Sequence, residues 1–510
     1  MEAQQPTPPA KKVKPSPPRT DAEAGAAGDG EDRFSALDDD ALREILARLP
    51  LRDAAVTTAL SRRWPRVFAT LPRLRLDSTT FNARASLGIN YCDDNCRWVD
   101  SLDCVLAGRE APVVAFEVDV DIDLLEGYGD WFYSSFREVC RRGALRELRV
   151  VNDHVHERYL LPSPVYACET LTSLDLDSCW LRVPGKLTGL RAVRSLRLRN
   201  VVAEDADLRR VISRCRAVER LVLDDCHRAR NVVIRGPSLK ELEIRSYRPL
   251  RVKVTKAPGL ESAKLILFYD FPDCFWNSYD NSDGEIARKR PDGNKVQELF
   301  DFEAMQKREH KKTDEATNIM TFLSGLGCAK ELFLNLSYEF AKVLSKTSNS
   351  VPMSLPKKCY LRGLRKLSLG LNHNDRGLAK VVSCLLNSSP NLSDLEIHDP
   401  YNYDDRRVSS LAPEFWEEHV STECVQNHLS NITFYRASES FQDCPYIVFS
   451  KFLVMRARAL KRMSIKYQRS KDHHLYADEL ETVRGELQQC PRASPGALVE
   501  ISAVDRLPWY

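Results

Sequence analysis

The sequence predicts an α/β chain in which a small N-terminal unit of three helices leads into an irregular solenoid of repeats sharing one parallel sheet. Three observations carry this expectation. The stretch "LREILARLPLRDAAVTTALSRRW", from Leu42 to Trp64, places apolar residues at helical spacing. Behind it, the pattern apolar-x-x-apolar-x-apolar starts at 71, 113, 145, 171, 193, 218, 239, 260, 329, 364, 392, 429 and 460, with gaps of 26, 22, 25, 21 and 21 between 145 and 260. The composition, 43% hydrophobic and 29% charged over 510 residues, is that of a soluble globular chain with a sizeable core.

Net charge narrows the function classes. With 75 basic and 72 acidic residues the balance is only +3, so no global field points to nucleic acid, a membrane surface or an acidic substrate. The 15 cysteines are scattered singly, as at Cys140, Cys179, Cys215, Cys328 and Cys359, which fits reduced thiols better than a disulfide scaffold. No apolar run approaches the roughly 18 residues of a membrane span, and the N-terminus lacks the apolar stretch of a secretory signal. The expected location is the nucleus and/or the cytoplasm. Residues 1–33, rich in Pro, Ala and Gly, are expected to form a disordered tail. Within it Lys11, Lys12 and Lys14 resemble a short nuclear-import signal, beside the plainer reading of a solubilising tail.

The helices come next, over 34–72. Leu42, Ile45, Leu46 and Leu49 share one helical face, with Asp38, Asp39 and Asp40 before or in the first turn and Pro50 ending the helix. Asp53 is expected to cap a second helix bearing Val56, Leu60 and Trp64, and Pro65 to open a third bearing Val67, Phe68 and Leu71. Three such short helices cannot bury all these faces among themselves. The leftover surface is covered either by the repeats or by another protein.

The segment "DRFSALDDDALREILARLPLRDAAVTTALSRRWPRVFATLPRLRLD" resembles the F-box, the helical motif that docks onto the Skp adaptor of cullin-RING ubiquitin ligases. The resemblance implies a Skp-type adaptor, and through it a cullin, as partners. It implies Leu37, Leu42, Ile45, Leu46, Leu49, Pro50, Leu51, Val56, Leu60 and Trp64 as the adaptor-binding set. Leu42 to Leu51 is read as the face kept for the adaptor, and the part towards Trp64 as the anchor onto the repeats. One departure stands out: F-boxes usually begin Leu-Pro, whereas Leu37 is followed by Asp38, which removes some pre-organisation of the first turn.

Over 73–268 the units "LRELRV", "LTSLDL", "VRSLRL", "VERLVL", "LKELEI" and "LESAKL" match the period of leucine-rich repeats. Each unit supplies one short strand and a return segment, neither able to bury its apolar side alone. Stacking makes Leu148, Leu174, Leu196, Leu221 and Leu242 successive rungs of one core. Strand alternation sends Arg149, Asp175, Arg197, Val222, Glu243 and Lys264 to the open face, flanked by Val151, Asp177, Arg199, Asp224, Arg245 and Ile266. This mixed ladder suits a protein target; a phosphate backbone would call for a basic stripe.

Regularity fails over 269–318, a charged insertion followed by a helix, in which Phe275, Trp276 and Tyr279 are either a binding element or internal packing. Repeats return over 319–410. The span 411–467, with its Trp before "CVQNHLSNITF" and a helix leading into "ALKRMSI", resembles the FBD module of plant F-box proteins with leucine-rich repeats. A C-terminal helix and tail occupy 468–510. No catalytic constellation is recognisable: "SGLG" at Ser324 to Gly327 reads as a helix end, and no Gly-x-Ser-x-Gly elbow occurs. Neither His154 with His156 nor Cys92 with Cys96 has the further ligands of a metal site. The expectation is a non-enzyme without metal or cofactor that presents target proteins to a ligase. The alternative is a repeat scaffold whose F-box-like helices only cap the solenoid.

Overall fold

The computed structural model describes residues 36–76, 105–109, 111–120, 129–152, 158–268, 315–347, 351–398, 410–436, 446–469 and 477–507. The N-terminal tail with Lys11, Lys12 and Lys14, the aromatics Phe275, Trp276 and Tyr279, and the pairs His154/His156 and Cys92/Cys96 lie outside these residues.

Three helices open the chain: α1 (Asp39–Leu46), α2 (Leu51–Val56) and α3 (Trp64–Ala69). Asp38 is the N-cap of α1, its carboxylate accepting from the Ala41 N–H at 2.7 Å, with Asp39 and Asp40 in the first turn. A capping Asp contributes about 1 kcal/mol. The cap therefore supplies by hydrogen bonding part of the start signal that the absent Pro would give. Helix α2 starts directly after Pro50, so Asp53 lies inside its first turn and is not the expected cap.

The strands follow in chain order as β1 (Arg73–Leu76), β2 (Ala115–Val120), β3 (Glu147–Asn152), β4 (Tyr159–Leu160), β5 (Ser173–Asp177), β6 (Cys179–Trp180), β7 (Ser195–Arg199), β8 (Arg220–Asp224) and β9 (Asn231–Arg235). They continue as β10 (Glu241–Ser246), β11 (Arg251–Thr255), β12 (Ser262–Leu267), β13 (Glu331–Leu336), β14 (Lys366–Gly370), β15 (Asp394–His398), β16 (Asn431–Arg436), β17 (Arg462–Gln468) and β18 (Leu498–Val504). Fourteen of these form one parallel sheet in the order β1-β2-β3-β5-β7-β8-β10-β12-β13-β14-β15-β16-β17-β18, while β9 with β11 and β4 with β6 make separate parallel pairs. Every one of the thirteen pattern starts becomes a strand of the long sheet. The register aligns Leu148, Leu174, Leu196, Leu221 and Leu242, each 2% exposed or less.

One backbone device repeats from unit to unit. The Arg146 carbonyl accepts from the N–H groups of Thr172 and Ser173 at 2.7 and 2.9 Å, and the Lys240 carbonyl accepts likewise from Glu261 and Ser262. The stacking crosses the insertion unbroken, for β12 pairs directly with β13 and the Glu261 carbonyl accepts from Lys330 and Glu331. Of the insertion, the last residues open a helix over Glu315–Leu323, and Ser324 to Gly327 follow its end. Ser178, Asn200 and Asp225 turn three successive strand ends in the left-handed region at φ 52°, 50° and 49°. Each donates its N–H to the next unit's carbonyl, which fixes the bend.

The helical unit and the repeats share a core. Leu51 belongs to the same cluster as Leu74 and Leu76, and Phe68 packs against both that cluster and the helical one. The guanidinium of Arg109 donates to the Leu71 carbonyl at the junction. At the other end, the expected tail over 498–504 is a correction: these residues form β18, paired along its length with β17. In the repeat pattern the slot three before Val499 falls on Gly496, which has no side chain to register as apolar.

Candidate functional site: the helical unit and the open sheet face

Two surfaces carry the candidate residues. On the helical unit, Leu42 and Leu46 are 0% and 1% exposed and pack with Ala54, Trp64, Val67 and Leu71 in a small core of their own. Leu37 and Leu49 lie partly buried against that core, Pro50 caps α2, and Leu51 is sealed into the repeats. These placements correct the expectation that Leu42 to Leu51 is one outward face. The helical stripe is wide enough for three helices to fold onto each other, so its centre is used internally. What stays outside is Ile45, 38% exposed, with Val56 and Leu60, each 67% exposed. The second half of the segment, expected as the anchor onto the repeats, instead gives Trp64 to the helical core and supplies the most exposed apolar side chains, while Leu51 and Phe68 make the contact with the repeats. Among the described residues three of the eight large exposed hydrophobics fall between 45 and 60. Scattered singles need no explanation, whereas three within sixteen residues single out this part of the helical unit.

The sheet's open face is built by strand alternation. Arg149, Asp175, Arg197, Val222, Glu243 and Lys264 stand in register on β3, β5, β7, β8, β10 and β12, as the ladder predicts. Their charges are already paired. Glu117 meets Arg149 at 2.8 Å, and Asp175 lies 3.7 Å from Arg149, 3.7 Å from Arg197 and 3.4 Å from Arg199. Farther along, Glu243 meets Lys264 at 3.2 Å and Asp224 meets Arg245 at 3.7 Å. Val222, uncharged, separates the two groups; with Asp177 at 3.6 Å from Arg199 the first sums to zero, as the second does. Such partly exposed pairs add about 1 kcal/mol apiece. Their value is selectivity, since a partner must match the pattern or leave charges unpaired.

A cleft of about 200 Å³ lies where the first strands meet the end of α1, lined by Ala47, Arg73, Arg75, Glu117, Glu147 and Arg149 among others. Arg73 is held by Glu147 through two hydrogen bonds of 3.0 and 3.2 Å. Arg75 has no ion-pair partner among the described residues.

Past the insertion the face changes chemistry. Lys264 Nζ sits 5.4 Å over the Phe333 ring, Phe333 meets His398 edge-on at 6.2 Å, and His398 stacks on Tyr435 at 4.6 Å and 5°. Lys466 covers the other end of the row, 5.6 Å over Tyr435. Glu396 beneath it accepts from Ser368 at 2.7 Å and pairs with Lys366 at 2.9 Å. The ladder expected from the sequence ends at Lys264, short of this row. The signal was available, because Phe333 occupies the open slot of "AKELFL", and His398, Tyr435 and Lys466 directly follow "LSDLEI", "LSNITF" and "LKRMSI".

Burial depresses the His398 imidazole to about 4; nearby Glu396 opposes and Lys366 reinforces the shift. The folded ring is thus neutral where a free histidine, titrating near 6.5, takes a proton. Its share of stability is complete above pH 6.5 and is lost as pH falls towards 4. Burial also lowers His227, so the slope does not rest on one residue. In urea titrations at stepped pH, the wild type loses stability more steeply over that window than His398→Phe, which keeps the stacking; equal slopes would refute the assignment.

No group of three or more His, Cys, Asp or Glu side chains among the described residues is placed to hold a metal ion, and no helix among them is long and apolar enough to cross a membrane.

Two parts of the chain match known protein families. The F-box domain model matches residues 34–82, and a model described as FBD-associated F-box protein At5g56370, LRR repeats, matches residues 134–274. An F-box/FBD/LRR-repeat protein of Arabidopsis thaliana, At5g56420, is 30% identical over 223 residues, covering 42% of this chain and 49% of the relative. A second from the same plant, At4g00315, is 25% identical over 455 residues, covering 85% of this chain and 92% of the relative. The F-box/LRR-repeat protein At3g26922 is 26% identical over 273 residues, 47% of this chain and 83% of its own length. The chain thus spans about half of the first relative and nearly all of the second. It carries an F-box domain followed by leucine-rich repeats in one parallel sheet.

Proposed function

We propose that this chain is a non-catalytic substrate-recognition subunit of a Skp-cullin-F-box ubiquitin ligase. The observation that carries the reading is the exposure of Ile45, Val56 and Leu60 on a helical unit whose other large apolar residues are consumed by its own core and by the repeats. These three side chains are the contact points for the Skp-type adaptor. The open face of the sheet holds the target protein, with the paired charges selecting it and the partly exposed Phe333 and Tyr435 rings, braced by the buried His398, anchoring it. The chain contributes position: it raises the effective concentration of target lysines at a ubiquitin-charged enzyme and supplies no reacting group.

A second reading keeps the helices as a structural cap only. It is favoured by Leu51, which closes the first rung of the repeats. The two separate in one experiment. Purified full-length chain is mixed with a recombinant Skp-type adaptor and then with a cullin, and complex formation is followed by size-exclusion chromatography. Stable co-elution supports the receptor; an adaptor that never co-elutes removes it and leaves the scaffold.

A further inference from the structure

We propose that the outer edge of β18 is a homodimer interface, on which a second copy of this chain adds its own β18 antiparallel about a two-fold axis through Ile501. This does not rest on the ligase reading.

The two ends of the sheet are finished differently. Strand β1 is four residues long, two of them Arg, and α2 packs against it, leaving Leu74 and Leu76 at 2% and 0% exposure. Strand β18 is seven residues long, carries Glu500 as its single charge, and ends the sheet with no strand beyond it among the described residues. Its inward residues Val499, Ile501 and Ala503 are all partly exposed, while Met463 and Ile465, their neighbours on β17, are 0% exposed. Leu498 is 48% exposed. A long apolar edge of this kind is a template for another strand.

Backbone parity says which strand fits. The Leu498 N–H donates to the Lys461 carbonyl, and the Val504 carbonyl accepts from the Arg469 N–H. Even-numbered residues therefore point their peptide groups at β17, and Val499, Ile501 and Ala503 point theirs outward. An antiparallel copy about Ile501 sets Ile501 against itself and Val499 against Ala503, closing about six hydrogen bonds. Side chains agree with the same register: Leu498 faces Val504, and Glu500 faces Ser502, so no like charges meet. Moving the axis to Val499 would set Leu498 against the Glu500 carboxylate. The two-fold continues the sheet with both open faces on the same side.

Sedimentation equilibrium of the full-length chain across a concentration series is expected to show a monomer–dimer equilibrium. Ile501→Pro removes an outward N–H and none of the bonds to β17, and is expected to weaken dimerisation by at least about tenfold. Under a thiol oxidant, Ile501→Cys cross-links to its own copy, whereas Val499→Cys, whose two copies lie on opposite sides of the axis, does not exceed the wild type. A monomer mass at every concentration, or equal cross-linking by the two cysteine variants, overturns the proposal. So does a dimer of unchanged strength in Ile501→Pro, which would place the contact elsewhere. If β18 instead takes an extended peptide of a different protein, the chain alone stays monomeric and the proposal fails.

Discussion

Replacing Val56 and Leu60 together by Asp is expected to abolish capture of a Skp-type adaptor while leaving the unfolding midpoint where it was. Both side chains are 67% exposed in the free chain, so their removal takes nothing from the core. Surface changes of this kind stay within about 0.5 kcal/mol of the wild type. At an interface the same two positions become anchors, and losing an anchor typically costs about 2 kcal/mol or more, close to thirtyfold in affinity. The contrast is Leu46→Ala. Leu46 is 1% exposed within the core of the helical unit, and its truncation is expected to cost about 2–5 kcal/mol of stability. That variant weakens binding only by loosening the unit that presents Ile45, Val56 and Leu60. Titration calorimetry with the adaptor, beside urea unfolding of each variant, separates the two. Undiminished binding by the Val56 and Leu60 variant would place the adaptor surface elsewhere.

The second large effect is at the far end of the molecule. Trp416→Ala is expected to cost about 3–5 kcal/mol and to unfold the C-terminal units ahead of the rest. Trp416 is 0% exposed on the helix Pro413–His419 and lies 4.0 Å from Phe449 on the helix Tyr446–Arg456, with Phe415 edge-on at 5.3 Å. Phe449 in turn meets His373, from the turn after β14, at 5.4 Å, and Phe434 of β16 at 6.5 Å. One indole thus sits in a cluster joining the returns of several consecutive repeats. Because a solenoid is held by neighbour contacts, the damage stays local: hydrogen exchange should accelerate over β15 to β18 while β3 to β8 keep their protection. Adaptor binding should survive. Uniform acceleration along the sheet would show that the repeats unfold as a single unit instead.

The FBD resemblance of 411–467 rests on this same Trp and on the strand entry that follows. Its residues form β16, β17 and the helices around them, continuous with the repeats before them. This segment adds no separate core: Trp416, Ile432, Phe434 and Met463 belong to the cluster that also contains Leu148 and Leu74.

Strand positions and the chemistry of the open ladder were legible in the sequence because both depend on short-range alternation. A residue between Leu148 and Val150 faces the open side wherever its strand is stacked, so Arg149 could be placed before any neighbour was known. The row of Phe333, His398 and Tyr435 follows the same rule and was missed only because the insertion interrupts the spacing. β18 was missed because Gly496 leaves its first apolar slot empty, and β9 and β11 because they pair with each other off the main sheet. The outward face of the F-box was a different matter. Periodicity groups Leu42, Ile45, Leu46 and Leu49 on one side of a helix, yet which of them meets solvent depends on how α3 and the first repeat pack against that side. Local alternation is thus enough to specify the solenoid, its rungs and its charge ladder. That Leu42, Leu46 and Leu51 are core while Ile45, Val56 and Leu60 stay outside follows from packing, because burial is set by elements distant in the chain and local spacing carries no record of them.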